Sequence, residues 1–242
     1  IGFLLYVNNF YNPLRQLAAV WSSLQLALAA LDRISEVLAL SNDMAVMPSA
    51  QTDSTAVLEF RDVAFHYPDG KEVLTKVNMK LEHGKTYALI GPTGGGKTTS
   101  ASLMARLYDP THGTVLLDGK DIRAFEPHER AQKIGFILQD PFLFTGTTRD
   151  NILYGNAEYA QYSDEQLTQL IADAGLAGLL ARFDQGLHTK VSSSGDSISL
   201  GQKQLIAFMR AALRKPELLI LDEASANIDT VTEQLLEDIL DK

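Results

Sequence analysis

The chain has no cysteine among its 242 residues. Disulfide bonds, thiolate metal sites and a cysteine nucleophile are therefore excluded, which fits a reducing compartment. Positive charge is scarce, since 21 Lys and Arg stand against 30 Asp and Glu for a net charge of −9. A duplex nucleic-acid binder usually has the opposite balance. Clustered histidines and the HExxH pattern are also missing. We therefore expect no nucleic-acid partner and no zinc.

Long uninterrupted apolar runs are missing as well. Residues 1–7 are apolar, but polar residues follow at once, and a membrane span needs about 20 mostly apolar residues. The sequence therefore predicts no complete span and no secretory signal. The chain also starts within a pattern and without Met, so we expect its beginning to be a cut.

What is present is enough apolar material to form a core, 45% of the residues. Residues 14–34 carry apolar side chains at helical spacing, which predicts one interrupted helical region over residues 1–40, with a kink or start near Asn12-Pro13. Residues 41–56 are polar and are predicted to be a linker. From Val57 onward, predicted strands alternate with predicted helices, which indicates an α/β domain with a mostly parallel core sheet. Strands are predicted over residues 57–67, 76–82, 86–90, 113–119, 133–138 and 217–222, and helices over residues 100–108, 163–183 (in two pieces), 200–214 and 230–242.

Residues 91–98 (GPTGGGKT) fit the pattern GxxxxGK[ST], between a predicted strand and a predicted helix. Glycines let the backbone wrap an anion with its N–H groups inward, and the following helix start adds a positive dipole end. The pattern predicts a phosphate loop in which Lys97 contacts the β- and γ-phosphates and Thr98 ligates Mg²⁺. A chance match arises in roughly 1% of chains of this length. The predicted nucleotide contacts are Gly91, Thr93, Gly94, Gly95, Gly96, Lys97, Thr98 and Thr99.

Four apolar residues, 218–221, are followed by the carboxylates of Asp222 and Glu223. A buried strand would deliver both acids at its C-terminal end, beside the phosphate loop. Asp222 is predicted to hold the Mg²⁺ shell, and Glu223 to polarise the attacking water. Many buried strands end in this way, so the prediction depends on the phosphate loop that accompanies it.

Further segments extend the pattern. Gln139 follows a predicted strand, and residues 198–202 (ISLGQ) open a predicted helix 20 positions before Asp222. With these segments, residues 57–242 resemble the ATP-binding cassette family. Gln139 resembles the Q-loop glutamine of that family, which implies a catalytic role and contact with Mg²⁺. Residues 198–202 resemble its signature motif.

The resemblance has two smaller parts. Residues 225–229 (SANID) resemble the D-loop of the family. Tyr67 follows the first predicted strand, where the family stacks an aromatic ring on adenine. The alternative for Tyr67 is an ordinary strand aromatic.

The resemblance implies a P-loop NTPase cassette with a mostly parallel core sheet, an antiparallel β subdomain and a helical subdomain. It also implies binding of ATP and Mg²⁺. Two cassettes are expected to close head to tail, so that the signature of one faces the phosphate loop of the other. Ser199, Gly201 and Gln202 would then contact the partner's ATP, and Ser199 at a helix start suits an anion. Hydrolysis would release the dimer and switch the coupled membrane path.

Residues 1–56 resemble the junction between the last transmembrane helix of an exporter half and its cytosolic ATPase. The implied organisation is a membrane-derived helix over residues 1–40, a linker over 41–56 and a nucleotide-binding domain over 57–242. The expected location is the cell membrane, with the ATPase domain in the cytoplasm. Because no histidine lies where the family carries its switch histidine, we expect an incomplete C-terminus and little or no hydrolysis by this piece alone. The resemblance also puts residues 140–145 near the transmembrane coupling helices.

Leu200 departs from the family, because it replaces the first glycine of the signature. Such departures occur in heterodimeric exporters, so a second, different half-transporter is favoured as partner over a homodimer with a tolerated variant. Two other classes remain open: a soluble cassette ATPase acting on nucleic acid or ribosomes, and a nucleotide-gated module that does not hydrolyse. A P-loop kinase would need neither Gln139 nor residues 198–202.

Overall fold

The computed structural model describes residues 2–40, 44–52, 54–68, 70–192, 198–222 and 230–240. The chain divides into two compact units, residues 1–45 and residues 46–242. The first unit is built on helix α1 (Gly2–Leu38). Helix α1 runs through Pro13 without a break, so the predicted interruption is wrong. Proline removes a single backbone donor, and the turns on both sides keep their own hydrogen bonds.

The side chains of α1 are strongly apolar on a solvent-exposed helix. Phe10, Leu17 and Trp21 are all more than half exposed. The segment Asn9–Leu38 contains an 18-residue stretch with a mean hydropathy of 1.3, and it is long and apolar enough to cross a membrane by length and composition. This finding departs from the sequence-based expectation of no complete span, because an average tolerates single polar residues that interrupt an unbroken run.

The second unit contains the remaining elements. Its strands are β1 (Ala56–His66), β2 (Glu72–Glu82), β3 (His112–Leu117), β4 (Lys120–Asp121), β5 (Ile134–Ile137), β6 (Gly146–Thr147), β7 (Lys190–Val191) and β8 (Leu218–Leu221). Its helices are α2 (Lys97–Met104), α3 (Pro127–Lys133), α4 (Thr148–Leu153), α5 (Asp164–Asp173), α6 (Ala177–Leu180), α7 (Leu200–Ala212) and α8 (Thr230–Leu240). Single 3₁₀ turns lie at Ile122–Ala124, Ala157–Tyr159 and Gly186–His188.

Four strands form an antiparallel sheet in the order β2-β1-β3-β4. Strand β1 lies inside this sheet and pairs with both β2 and β3. Leu58 and Phe60 of β1 are fully buried, in one apolar cluster with Leu117 of β3 and Leu103 of α2. The sheet therefore packs directly against the helix that follows the phosphate loop.

Strands β5 and β8 form a parallel pair in which Ile134 lies opposite Leu218 and Ile137 opposite Leu221. The predicted strand over residues 86–90 is wrong for this structure, since that segment joins no sheet among the described residues. Ile90, for example, is 94% exposed. A short apolar run indicates that a segment can pair as a β-strand. Whether a sheet offers it a free edge depends on the rest of the fold.

A helical layer forms the second core. Ile152, Leu167, Ile171 and Leu179 are completely buried in one cluster that includes the inner face of α7. Helices α5 and α6 are separated at Gly175, whose φ of +75° ends α5 in the left-handed region. The two short helices that the sequence predicts over residues 163–183 are therefore confirmed.

An ion cluster ties the sheet to the parallel pair. Lys133, the last residue of α3, donates to Asp118 Oδ2 at 2.9 Å and to Glu217 Oε1 at 2.5 Å. His83 Nε2 lies 3.2 Å from Asp118 Oδ1. Burial raises the pKa of Asp118, but the hydrogen bond from Lys133 and the positive charge of Lys133 outweigh burial and lower the pKa overall. Lys133 precedes β5 and Glu217 precedes β8, so the cluster fixes both strands at their amino ends.

Candidate functional site

The phosphate-loop segment, residues 91–96, turns directly into α2. Gly94 and Gly96 have φ angles of +79° and +83°, in the left-handed region where glycine is favoured. A Cβ on Gly96 would lie 2.6 Å from Leu74 Cδ2, whereas a Cβ on Gly94 would meet nothing within 4 Å. Gly96 therefore needs to be glycine both because of its positive φ and because a side chain would meet Leu74. Gly94 faces open space beside the loop.

The ammonium group of Lys97 folds back over this loop. Lys97 Nζ donates to the carbonyl oxygens of Gly91 at 3.0 Å and Pro92 at 3.1 Å. An ammonium group beside exposed backbone is suited to exchange these neutral acceptors for anionic ones. The loop thus carries one positive charge at its centre and a helix N-terminus at its end.

The carboxylate of Asp222 meets α2 at its first turn. Thr98 Oγ1 donates to Asp222 Oδ1 at 3.1 Å, across 124 residues of chain. The backbone N–H of Asp222 donates to Ile137 O at 3.0 Å, which extends the pairing of β8 with β5 by one residue. The sheet therefore fixes the carboxylate beside the phosphate loop. A hydroxyl and a carboxylate oxygen are ligands that suit Mg²⁺, so this donor set fits the predicted metal.

Tyr67 lies against the same helix. Its hydroxyl shares a hydrogen bond of 3.2 Å with Thr99 Oγ1, and Thr99 is buried. The Tyr67 ring packs edge-on against Phe65, with centroids 5.0 Å apart, and against Tyr108, with centroids 5.3 Å apart. These contacts hold the half-buried ring next to the helix that begins at Lys97.

Ser199 and Gln202 form a reciprocal capping box at the start of α7. Gln202 N donates to Ser199 Oγ at 3.1 Å, and Ser199 N donates to Gln202 Oε1 at 3.0 Å. Gln202 Nε2 also donates to Arg182 O at 3.1 Å. Gly201 and the half-buried Leu200 lie in the first turn between them. The side chains of Ser199 and Gln202 thus hydrogen-bond to each other's backbone and to Arg182. The phosphate-loop residues form a separate group of contacts, in which Lys97, Thr98 and Thr99 hydrogen-bond to Gly91, Asp222 and Tyr67.

Gln139 is exposed and follows β5 by two residues. Its carbonyl oxygen accepts a hydrogen bond of 3.1 Å from Gln204 Nε2 on α7. Sequence reasoning missed Gln204, although a signal was present, since it is a polar residue at the start of the apolar run Leu205–Ile206 inside α7. Glu223 and residues 225–229, named above as the catalytic acid and the D-loop, lie outside the described residues.

Side chains from α4 and α7 surround the segment after Gln139. Arg210 Nε donates to Asn151 O at 2.8 Å, and Arg210 Nη1 donates to Phe142 O at 3.2 Å. Burial, and next the positive charge of Arg214, lower the pKa of Arg210 to about 10, so its side chain remains charged at neutral pH. Phe142 is 64% exposed beside this cluster. It lines a groove of about 230 Å³ together with Leu138, Pro141, Tyr154, Arg210 and Arg214.

The comparisons with known proteins agree with this geometry. A family model described as ABC transporter matches residues 74–226, more than half of the chain. The chain belongs to the ABC transporter family. ATP binding follows from this membership, and the expected cassette fold is confirmed by the same match and by a solved structure.

The relatives are ATP-binding and permease proteins. The ABC transporter ATP-binding protein YfiC of Bacillus subtilis is 39% identical over 242 residues, covering 99% of this chain and 40% of YfiC. The fatty acid ABC transporter ATP-binding/permease protein of Mycobacterium tuberculosis is 38% identical over 240 residues, covering 98% of this chain and 37% of that protein. A structure described as a bacterial Atm1-family ABC exporter with ATP bound matches with a TM-score of 0.77 and 30% identity, covering 97% of this chain and 41% of that one. The chain thus spans about two fifths of the length of these relatives.

Proposed function

We propose that this cassette hydrolyses ATP as one half of a membrane exporter and that hydrolysis drives substrate translocation. The observation that carries the proposal is the contact of 3.1 Å between Thr98 Oγ1 and Asp222 Oδ1. It joins a phosphate loop to the acidic end of a parallel strand, as a phosphoryl-transfer site requires. Bound Mg²⁺ would offset negative charge on the β- and γ-phosphates, and Thr98, Asp222 and Gln139 are the residues that would hold it.

The remaining roles are assigned from the chemistry of each side chain. Lys97 would give up its two loop carbonyls to bind the β- and γ-phosphates, and the backbone N–H groups of residues 93–99 would surround them. Tyr67 would stack on the adenine. Glu223 would orient and polarise the attacking water.

The proposed partner is a second half-transporter whose phosphate loop faces Ser199, Gly201 and Gln202. The capping box supports this role, because it orders the start of α7, where backbone N–H groups favour an anion. Leu200 adds a side chain where the family has glycine, which supports a heterodimer with one weakened ATP site. The partner would carry the complementary signature for the ATP bound to this chain.

The proposed attachment to a membrane domain has two supports. The apolar segment Asn9–Leu38 is long enough to lie in a bilayer or among membrane helices. Phe142 and Phe144 expose aromatic surface in the segment expected to contact coupling helices. An exporter is therefore favoured over a soluble cassette ATPase, with the cassette at the cytoplasmic face.

The test uses the full-length protein, reconstituted together with its partner half in proteoliposomes, with Glu223→Gln in this chain as the matched variant. The wild type should hydrolyse ATP with Mg²⁺, and the variant should bind ATP but lose turnover by about 100-fold or more. Binding without turnover in the wild type would favour a nucleotide-gated module. Turnover that requires added ribosomes or nucleic acid would favour the soluble class instead.

Native mass spectrometry of the purified full-length protein tests the partner. The proposal expects a complex of this chain with a different half-transporter and no ATP turnover from this chain by itself. A homodimer with steady ATP turnover would contradict the heterodimer and leave the ATPase proposal standing.

A further inference from the structure

Gln204 is an amide enclosed in an apolar core. Its side chain lies on α7, is 1% exposed, and neighbours the buried Leu205 and Ile206. Burying an amide costs free energy unless its groups are hydrogen-bonded. Nε2 donates to Gln139 O at 3.1 Å, but Oε1 has no partner among the described residues. Packing alone would favour Leu or Met here, so the hydrogen bond to Gln139 is what distinguishes glutamine.

Arg210 holds the same segment from further along α7. Its guanidinium donates to Phe142 O at 3.2 Å and to Asn151 O at 2.8 Å. Asn151 in turn accepts from Phe144 N at 2.8 Å and donates to Phe144 O at 2.9 Å. Side chains of α7 and α4 therefore hold the carbonyl oxygens of residues 139, 142 and 144.

The hydrogen bonds from Gln204, Arg210 and Asn151 that reach this segment all go to its backbone groups. They fix the path of the chain whatever its side chains are, and so make residues 139–144 part of the helical layer. The segment nevertheless emerges from β5 of the parallel pair, two residues before Gln139. It is thus the connection at which a movement of α7 reaches the end of β5.

Helix α7 is suited to transmit such a movement. It runs without a break from Leu200 to Ala212, with Ser199 as its N-cap. Gln204 lies five residues after Ser199, about 7.5 Å along the axis at the usual helical rise. A displacement of the capping box is therefore carried to Gln204 by a single rigid helix.

We propose that Gln204 is a positioning residue that couples the start of α7 to Gln139, with Arg210 holding the remainder of the segment. This coupling rests on the proposed function. It means that when the ATP held by the partner binds against Ser199 of this chain, the backbone of Gln139 in this chain moves. Gln204 touches neither nucleotide nor metal in this scheme. It acts through the carbonyl oxygen of Gln139.

The test compares Gln204→Met with wild type in the complex of the full-length protein and its partner half in nanodiscs. Methionine matches the length and keeps the core filled, while it removes both the donor and the unpartnered acceptor. We expect an unchanged ATP affinity and melting temperature but a kcat lower by about tenfold, within the range of coupling between sites. Gln169→Met is the control, because Gln169 Nε2 donates to Asp173 Oδ1 at 2.7 Å on the exposed face of α5, away from residues 139–144, and the kcat of this variant should equal wild type.

Hydrogen–deuterium exchange gives a readout that a purely structural role would not move. In wild type, ATP with Mg²⁺ should alter exchange of residues 139–144 and of the start of α7 together. In Gln204→Met, ATP should still protect the start of α7, while the response of residues 139–144 is lost. A joint response in the variant, or a kcat equal to wild type, would overturn the coupling. A lower melting temperature with proportional loss of bound ATP would show a structural role only, and would also overturn it.

The two proposals fail in different ways. A wild-type protein that binds no ATP and has no turnover would contradict the proposed function, and the coupling with it. Normal wild-type turnover that Gln204→Met shares would contradict the coupling alone.

Discussion

The ammonium group of Lys97 donates hydrogen bonds within the phosphate loop, to the carbonyl oxygens of Gly91 and Pro92. Bound phosphate would replace two neutral acceptors by charged ones, and a charge-assisted hydrogen bond contributes about 1.5–3 kcal/mol. Lys97→Met should therefore weaken ATP binding by roughly 10-fold to 100-fold in calorimetric titration. Lys190→Met, which changes an exposed lysine in β7, is the control. Equal affinities of the two variants would remove Lys97 from the site.

Tyr67 offers a second residue-scale prediction. If its ring stacks on adenine, Tyr67→Ala should weaken ATP binding by about 1 kcal/mol or more, because base–aromatic stacking is lost. Tyr67→Phe keeps the ring and removes only the hydrogen bond to Thr99. Titration with ATP should find Tyr67→Phe close to wild type. A Phe variant as weak as the Ala variant would assign the effect to the hydroxyl instead of stacking.

The residues of the site differ in how far the sequence predicts them. The phosphate loop and Asp222 are predictable, because each lies in a contiguous pattern whose spacing follows from phosphate and metal chemistry. Gln204 and Arg210 are not, because each donates to the backbone of a residue more than 60 positions away. Such a bond depends on tertiary packing and places no requirement on the neighbouring residues in sequence.

The start of α4 is held by a capping box between Thr147 and Asp150. Asp150 Oδ2 accepts from Thr147 Oγ1 at 2.7 Å and from Thr147 N at 2.8 Å. These hydrogen bonds, the side-chain one first, lower the pKa of Asp150 below its usual range. The stabilisation is therefore complete above the unfolded pKa and is lost as the pH falls through the lower, folded pKa.

Asp150→Ala should accordingly reduce the free energy of unfolding by about 1 kcal/mol at pH 7, the usual contribution of such a cap. The difference from wild type should shrink as the pH falls below the ordinary aspartate range, since wild type then loses the charged acceptor. Denaturant unfolding of both proteins at neutral and acidic pH measures this. A difference that is constant with pH would mean that the carboxylate charge contributes nothing.

Elements were predictable where a local signal defines both ends. Helices α5 and α6 follow from the break at Gly175, and β1 follows from its apolar run. The segment 86–90 shows the limit, because its apolar residues indicate a strand while pairing depends on which edge is available. The continuity of α1 through Pro13 could not be predicted either. The free energy that proline costs a helix is one local term, and the remaining hydrogen bonds of a long helix can outweigh it.

On the scale of the whole molecule, Lys133 joins two layers, because its ammonium group bridges Asp118 beyond β3 and Glu217 before β8. Lys133→Met would leave two carboxylates close together without a counter-charge. All three side chains are partly exposed, so we expect a loss of about 1–2 kcal/mol, between the values for surface and buried ion pairs. The double variant with Glu217→Gln should recover part of this loss. Thermal unfolding measures both, and a double variant no more stable than Lys133→Met would contradict the charge explanation.

The same ion cluster makes the two ends of the parallel strand pair different, because it holds only the end at which the strands begin. Lys133 and Glu217 pair directly before β5 and β8, whereas Gln139 and Asp222 lie just after these strands end. If the two strands tilt together, the ion cluster would hold them where they begin, and the displacement would be largest at Gln139 and Asp222, the two residues proposed to meet the metal.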